Sequence, residues 1–168
     1  MELIDIIPEF NLYEEFWKIY TKGDVIRPQY ISSDAVVERS LISEGAEIYG
    51  EVYNSVIGAD VTIQEGAVIR DSIIMKHTVI GKNAVIDKAI IAEHVQVGDN
   101  VQIGVGEEAP NVLKPAVYSF GIATIGERAV IPDGVKIGKN TAISGETTLE
   151  DYPNGELVSG GAIVKDGE

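Results

Sequence analysis

The sequence predicts an all-β chain, a left-handed parallel β-helix of hexapeptide repeats with three-sided coils of about 17 residues and a short helical N-terminal segment. Three observations predict it. Aliphatic residues recur every six positions at Ile57, Ile63 and Ile69, at Ile74, Ile80 and Ile86, and at Ile91, Val97 and Ile103. The interval between these trios is five, so the full period is seventeen and Ile57, Ile74 and Ile91 are equivalent positions. Gly, Asn and Asp fill the gaps, as corners require. Each such unit cannot bury its apolar side alone and is stable only when stacked on its neighbours. The left hand is carried over from the known class of hexad solenoids, an exception to the right-handed preference of parallel crossovers.

In order along the chain, Met1 to Ile7 reads as the end of a helix stopped by Pro8, and Asn11 followed by Glu14 reads as an N-cap opening a further helical turn. A chain beginning inside a helix predicts more sequence upstream. Residues 1–30 are thus the end of a helix and an interdomain linker, with Gly23 and Pro28 in its last stretch. The β-helix is expected over 31–150. Its early coils are irregular, since Ile42 to Ile57 spans fifteen residues rather than seventeen. Aliphatic-Gly pairs at Gly58, Gly81, Gly98, Gly104, Gly126 and Gly138 place glycine at bends, where strained or positive φ costs it least. Gly66, Asn83 and Asn100 fill a second corner at seventeen-residue intervals, all types that tolerate left-handed φ. Ile131-Pro132-Asp133-Gly134 fits a type I turn. The stretch 104–120, with Pro110 and Pro115, breaks the rhythm as an excursion loop, and hexads resume at Ile125, Ile131, Ile137 and Ile143. Residues 151–168 are expected to cap the open end. Parallel rungs about 4.8 Å apart would make a prism of five or six coils, roughly 25 to 30 Å long.

Composition narrows the function classes. The 168 residues are 45% hydrophobic and 24% charged, a globular balance, and no apolar run approaches the ~20 residues that cross a bilayer. Glu2, Asp5, Glu9, Glu14 and Glu15 make the N-terminus unlike a signal peptide, which predicts a cytoplasmic protein without a membrane partner. A net charge of −14 argues against nucleic acid, whose phosphates must be neutralised by Lys and Arg. The chain holds no Cys, so thiol catalysis is excluded.

Three groups are candidates for chemistry. His77 and His94 lie seventeen apart and should stack on adjacent coils, with Asp60 in the same column. A metal or acid-base site and plain polar corners are both open readings, but catalytic zinc takes three protein ligands and the chain has only 2 His. Arg70, Lys76, Lys82 and Lys88 form a basic run in a strongly acidic chain, and an anionic effector or a solvated face would each account for it. Tyr13, Phe16, Trp17 and Tyr20 form an aromatic group outside the coils, and Tyr13, Trp17 and Tyr20 are the candidate interdomain contacts. Gly104-Val105-Gly106 lacks the remaining glycines and Lys of a phosphate loop.

The segments NLYEEFWKIYT (Asn11 to Thr21), RPQYI (Arg27 to Ile31) and SLISEGAEIYGEVYNSVIGADVTIQEGAVIRDSIIM (Ser40 to Met75) resemble the carboxy-terminal part of bacterial ADP-glucose pyrophosphorylase, glucose-1-phosphate adenylyltransferase. The Ser-aliphatic-Ile repeat at Ser55 and Ser72 belongs to the resemblance, while Lys18 stands where many members carry Pro. What it implies is an enzyme of glycogen synthesis that joins ATP and glucose 1-phosphate, with its Mg²⁺ and ATP held by a nucleotidyltransferase domain upstream. The chain alone is then expected to be inactive, with no catalytic, cofactor or metal residues of its own. The resemblance further implies a β-helix that packs on the catalytic domain, helps build a homotetramer and contributes to a site for a sugar-phosphate effector. Two other readings stay open: a trimeric hexad-repeat acyltransferase using His77 or His94, and a non-catalytic paralogous subunit of the same enzyme.

Overall fold

A computed structural model describes Ile4, Phe16 and residues 25–165. The helical readings at Met1 to Ile7 and from Asn11, and the candidate contacts Tyr13, Trp17 and Tyr20, lie outside the described residues, Ile4 and Phe16 apart.

The described chain winds into a prism with three parallel sheets as its sides. Face A carries Tyr30–Ile31, Glu47–Ile48, Thr62–Ile63, Val79–Ile80, Gln96–Val97 and Val130–Ile131. Face B carries Val36–Glu38, Glu51–Tyr53, Val68–Arg70, Val85–Asp87, Gln102–Val105, Lys136–Gly138 and Glu156–Leu157. Face C carries Leu41–Ile42, Val56–Ile57, Ile73–Ile74, Ala89–Ile91, Ala123–Ile125, Ala142–Ser144 and Ala162–Val164. Every strand lies directly on its counterpart one coil away: Ile57 pairs with Ile74 and Ile74 with Ile91, Ile63 with Ile80 and Ile80 with Val97, Ile69 with Ile86 and Ile86 with Ile103. These hexad positions are 3% exposed or less, so the aliphatic columns run down the axis as the core. The short early coil is absorbed without loss of register, for Ile42 still pairs with Ile57.

Faces B and C hold seven strands each, more than the five or six coils the hexads predict. The surplus comes from the stretch beyond Asp151, where Glu156–Leu157 pairs with Lys136–Gly138 and Ala162–Val164 with Ala142–Ser144. On face A that last coil makes only a bridge from Val130 to Glu146, and the chain then turns through two 3₁₀ turns, Leu149–Asp151 and Pro153–Gly155. The excursion leaves after Val105 and returns at Ala123, with a register shift between Ile103 and Val105 at its root.

Each corner has a column of residues with left-handed φ. Between faces C and A these include Gly45, Asp60, His77, His94 and Arg128; between A and B, Gly66, Asn83, Asn100 and Gly134; between B and C, Arg39, Asn54, Asp71, Lys88, Asn140 and Gly160. The aliphatic-Gly pairs serve another purpose than the one the sequence suggests. Of those six glycines only Gly104 has positive φ. At Gly81 a Cβ would come within 2.5 Å of the Gly98 carbonyl carbon, so what this position demands is room for the next coil's backbone.

Candidate functional site

The polar corner between faces C and A groups Arg27, Glu47, Asp60, His77 and His94 along the first half of the coils. The His77 and His94 rings stack with centroids 4.8 Å apart and planes 18° from parallel, as their seventeen-residue spacing predicts. Below them His77 Nδ1 lies 3.7 Å from Asp60 Oδ2, and Asp60 Oδ1 lies 3.9 Å from Arg27 Nε. Arg27 also reaches Glu47 at 3.0 Å. Among the described residues no group of three or more His, Asp or Glu side chains is placed to hold a metal ion. With His77 facing Asp60 on one side and His94 on the other, the column works as a ladder joining successive coils.

The four basic candidates do not converge. Arg70 and Lys88 share the corner between faces B and C, where the Lys88 N–H donates to the Arg70 carbonyl at 3.1 Å and the Arg70 guanidinium lies 5.6 Å from the Tyr53 ring centre. Lys76 sits on the C-to-A corner against Glu93 at 3.3 Å, and Lys82 on the A-to-B corner against Glu65 at 3.7 Å. Seventeen-residue coils separate them because a six-residue step moves to the next side of the triangle. The Tyr53 hydroxyl donates to Glu51 at 2.9 Å, and that bond, followed by burial, raises its pKa.

Two further constructions went unread in the sequence. One anchors the excursion. Asn111, 3% exposed, donates from Nδ2 to the carbonyls of Asn140 at 2.8 Å and Gly161 at 3.3 Å, while its Oδ1 accepts from the N–H groups of Leu113 and Lys114. Asn140 answers by donating to the Ala109 carbonyl at 3.0 Å and accepting from the Gly121 N–H at 2.7 Å. This reciprocal clamp ties the loop to the last coils and leaves Val112, Leu113, Val117 and Phe120 exposed. Nothing local to Asn111 distinguishes it from an ordinary loop asparagine.

The other is a trough of about 670 Å³ on face A, floored by Val79, Val97 and Val130 and bordered by Gln64, Gln96, Asp99, Asp133 and Leu149. Its carboxylates are engaged in the coil stack: Asp99 Oδ1 accepts from the Lys82 N–H at 2.7 Å and Asp133 Oδ1 from the Asp99 N–H at 2.8 Å. They fasten corners. No described helix is long and apolar enough to cross a membrane.

Three parallel faces, in-register aliphatic columns and one left-handed residue per corner define a hexapeptide-repeat protein, and the chain belongs to the GlmU-like C-terminal hexapeptide family, whose sequence profile matches residues 28–125. Its relatives carry the resemblance further. Glucose-1-phosphate adenylyltransferases of Lachnospira eligens and Acetivibrio thermocellus are 72% and 48% identical to it over 168 residues, all of this chain but 40% and 39% of those proteins. The enzyme of that name from Thermotoga maritima is 51% identical over 164 residues, 98% of this chain and 39% of its own length. The chain therefore spans about two fifths of the relatives it matches.

Proposed function

We propose that this chain is the β-helix part of a glucose-1-phosphate adenylyltransferase, serving regulation and assembly while the nucleotidyl transfer is performed by a domain upstream. The observation that carries the reading is 72% identity along the whole chain to a protein of that name, confined to 40% of that protein. The described residues support it. Asp60, His77, Asp99, Asp133, Ser55 and Ser72 are occupied in joining coils, and nucleotidyl transfer needs carboxylate-held metal and positioned phosphates. In this reading ATP and Mg²⁺ are bound by the upstream domain, the enzyme works in the cytoplasm, and the prism contributes to a homotetramer.

An anionic effector, a sugar phosphate, is part of the same proposal. Arg70 and Lys88 are its favoured contacts because they share one corner, whereas Lys76 and Lys82 lie on two other corners. The test compares two proteins for pyrophosphate release from ATP and glucose 1-phosphate: the 168-residue chain, and the longer polypeptide carrying the upstream domain. Turnover in the longer form alone is the expected result. Turnover by the 168 residues on their own, or a longer form inert toward both substrates, overturns the reading.

A further inference from the structure

The sequence holds 2 histidines and no cysteine, so its only imidazole or thiol side chains are His77 and His94. Folding brings the two together. A step of seventeen residues puts His94 one coil beyond His77 at the same corner, where the rings stack with centroids 4.8 Å apart and planes 18° from parallel. The backbone beneath them is fixed by the coil stack: the His77 N–H donates to the Ala59 carbonyl at 2.9 Å and the His94 N–H to the Lys76 carbonyl at 3.1 Å, and both residues hold left-handed φ, at 57° and 59°. Both side chains are exposed, so an ion reaches them from solvent. The cations of this corner are each met by a carboxylate, Arg27 by Glu47 and Asp60, Lys76 by Glu93 and Arg128 by Glu127. The chain as a whole, at −14, attracts positive ions.

We propose that His77 and His94 form a two-nitrogen site for a borderline divalent ion, zinc or nickel, that staples adjacent coils. Imidazole suits these ions, whereas magnesium and calcium prefer oxygen. Two nitrogens bound at about 2.0–2.1 Å to a tetrahedral ion stand about 3.3 Å apart. Rings with centroids 4.8 Å apart therefore need to tilt together at one edge by roughly 1.5 Å, an adjustment exposed side chains make without moving the coils. Asp60 supplies the outer shell. Its Oδ2 lies 3.7 Å from His77 Nδ1, the carboxylate-histidine pairing that orients a ligand ring and raises its basicity, and this leaves His77 Nε2 for the ion. The carboxylate is not itself a ligand, since no three His, Asp or Glu side chains among the described residues are placed to hold one ion; water fills the remaining positions. Because the two ligands stand seventeen residues apart and meet only when the coils stack, the ion binds the folded chain and stabilises it by mass action.

The test titrates the untagged 168-residue chain with zinc chloride, with nickel chloride and, as the oxygen-seeking control, with magnesium chloride, reading binding by calorimetry and by the midpoint of thermal unfolding. The expected result is one zinc or nickel ion per chain, a Tm that rises with ion concentration, and no response to magnesium. His77→Asn and His94→Asn keep a residue type that tolerates left-handed φ. Each should weaken binding by about tenfold or more and shrink the rise in Tm to match, while Asp60→Asn should weaken it about tenfold with the stoichiometry kept, as loss of an outer-shell partner does. Zinc held equally well by the parent and by both histidine variants is an adventitious ion only and overturns the proposal. So does a parent that binds neither zinc nor nickel. One ion per two chains, with the mass doubled in sedimentation, assigns the histidines to a bridge between copies and overturns the staple within one chain. The titration uses no substrate, so its outcome is independent of whether the longer polypeptide makes ADP-glucose.

Discussion

Replacing Ser72 by alanine tests whether the corner columns hold the coils together by hydrogen bonds or merely tolerate them. Ser72 is fully buried, and its Oγ accepts from the Ala89 N–H of the next coil at 3.0 Å while donating to the Arg70 carbonyl at 2.5 Å. One coil earlier Ser55 does the same, accepting from the Ser72 N–H at 3.1 Å and donating to the Tyr53 carbonyl at 2.7 Å. In Ser72→Ala the Arg70 carbonyl keeps the Lys88 N–H as a partner, so the cost falls on the Ala89 N–H, left buried without an acceptor. An orphaned buried donor costs about 1–3 kcal/mol, which in a chain of this size lowers Tm by roughly 2–4 °C per kcal/mol. We expect about 2 kcal/mol from urea unfolding followed by circular dichroism, hence a Tm lower by about 4–8 °C. Ser43→Ala, at an exposed position, should stay within about 0.5 kcal/mol of the parent. A loss at Ser72 no larger than at Ser43 would refute the column as a source of cohesion. The double variant Ser55→Ala/Ser72→Ala should lose less than the sum of the singles, because the two sites touch through the Ser72 N–H and share whatever relaxation the corner allows.

Gly81→Ala should cost more than Gly134→Ala, about 3 against about 1 kcal/mol, since the first meets the next coil's backbone at 2.5 Å and the second has open space and only a positive φ of 72°; equal costs in urea titrations would return both glycines to a conformational role. Asn111→Ala removes four hydrogen bonds at the root of the excursion, and limited proteolysis should then cut within 106–122 before the coils, where the parent resists. Burial holds the Tyr152 hydroxyl at a pKa of about 12, above its ordinary 10.0; stability from this group is intact below pH 10 and lost as pH rises toward 12, and Tyr152→Phe should flatten that decline in thermal melts. In the longer polypeptide, Arg70→Ala or Lys88→Ala should weaken activation by a sugar phosphate more than Lys76→Ala does, measured as the effector concentration for half-maximal rate.

The hexads made the fold legible because a solenoid repeats one local rule: whatever places Ile57 places Ile74 and Ile91 as well. Corner chemistry was half legible. Asn83 and Asn100 do take left-handed φ, at 55° and 57°, as their residue type suggests. The glycines after the aliphatics were misread because sequence reveals the missing Cβ but not which freedom is used; only stacking shows that Gly81 faces Gly98. The basic run misleads for a related reason. Arg70, Lys76, Lys82 and Lys88 are near in sequence, yet in a triangular coil a six-residue step changes the face, and only steps near seventeen return to it. Ser55 and Ser72 illustrate the converse. They stand seventeen apart and touch through a hydrogen bond.

That arithmetic also explains how one scaffold can hold separate tasks. Each coil contacts only its neighbours, so an outward residue can change without disturbing the column behind it. The described chain divides accordingly. Its first four coils keep their register although one is two residues short, with the arriving segment held at the corner between faces C and A by Arg27. Its last coils carry the irregularities: the 106–122 excursion, the Asn111 and Asn140 clamp, and the detour through Leu149–Asp151 that ends with the Asp151 carboxylate, its pKa held low chiefly by Lys165, 2.5 Å away. These irregular coils lie away from Ser55 and Ser72, whose hydrogen bonds join the earlier coils. The stability lost in Asn111→Ala should therefore add to that lost in Ser72→Ala within about 0.5 kcal/mol. If it does not, the two ends of the prism are coupled and the division is wrong.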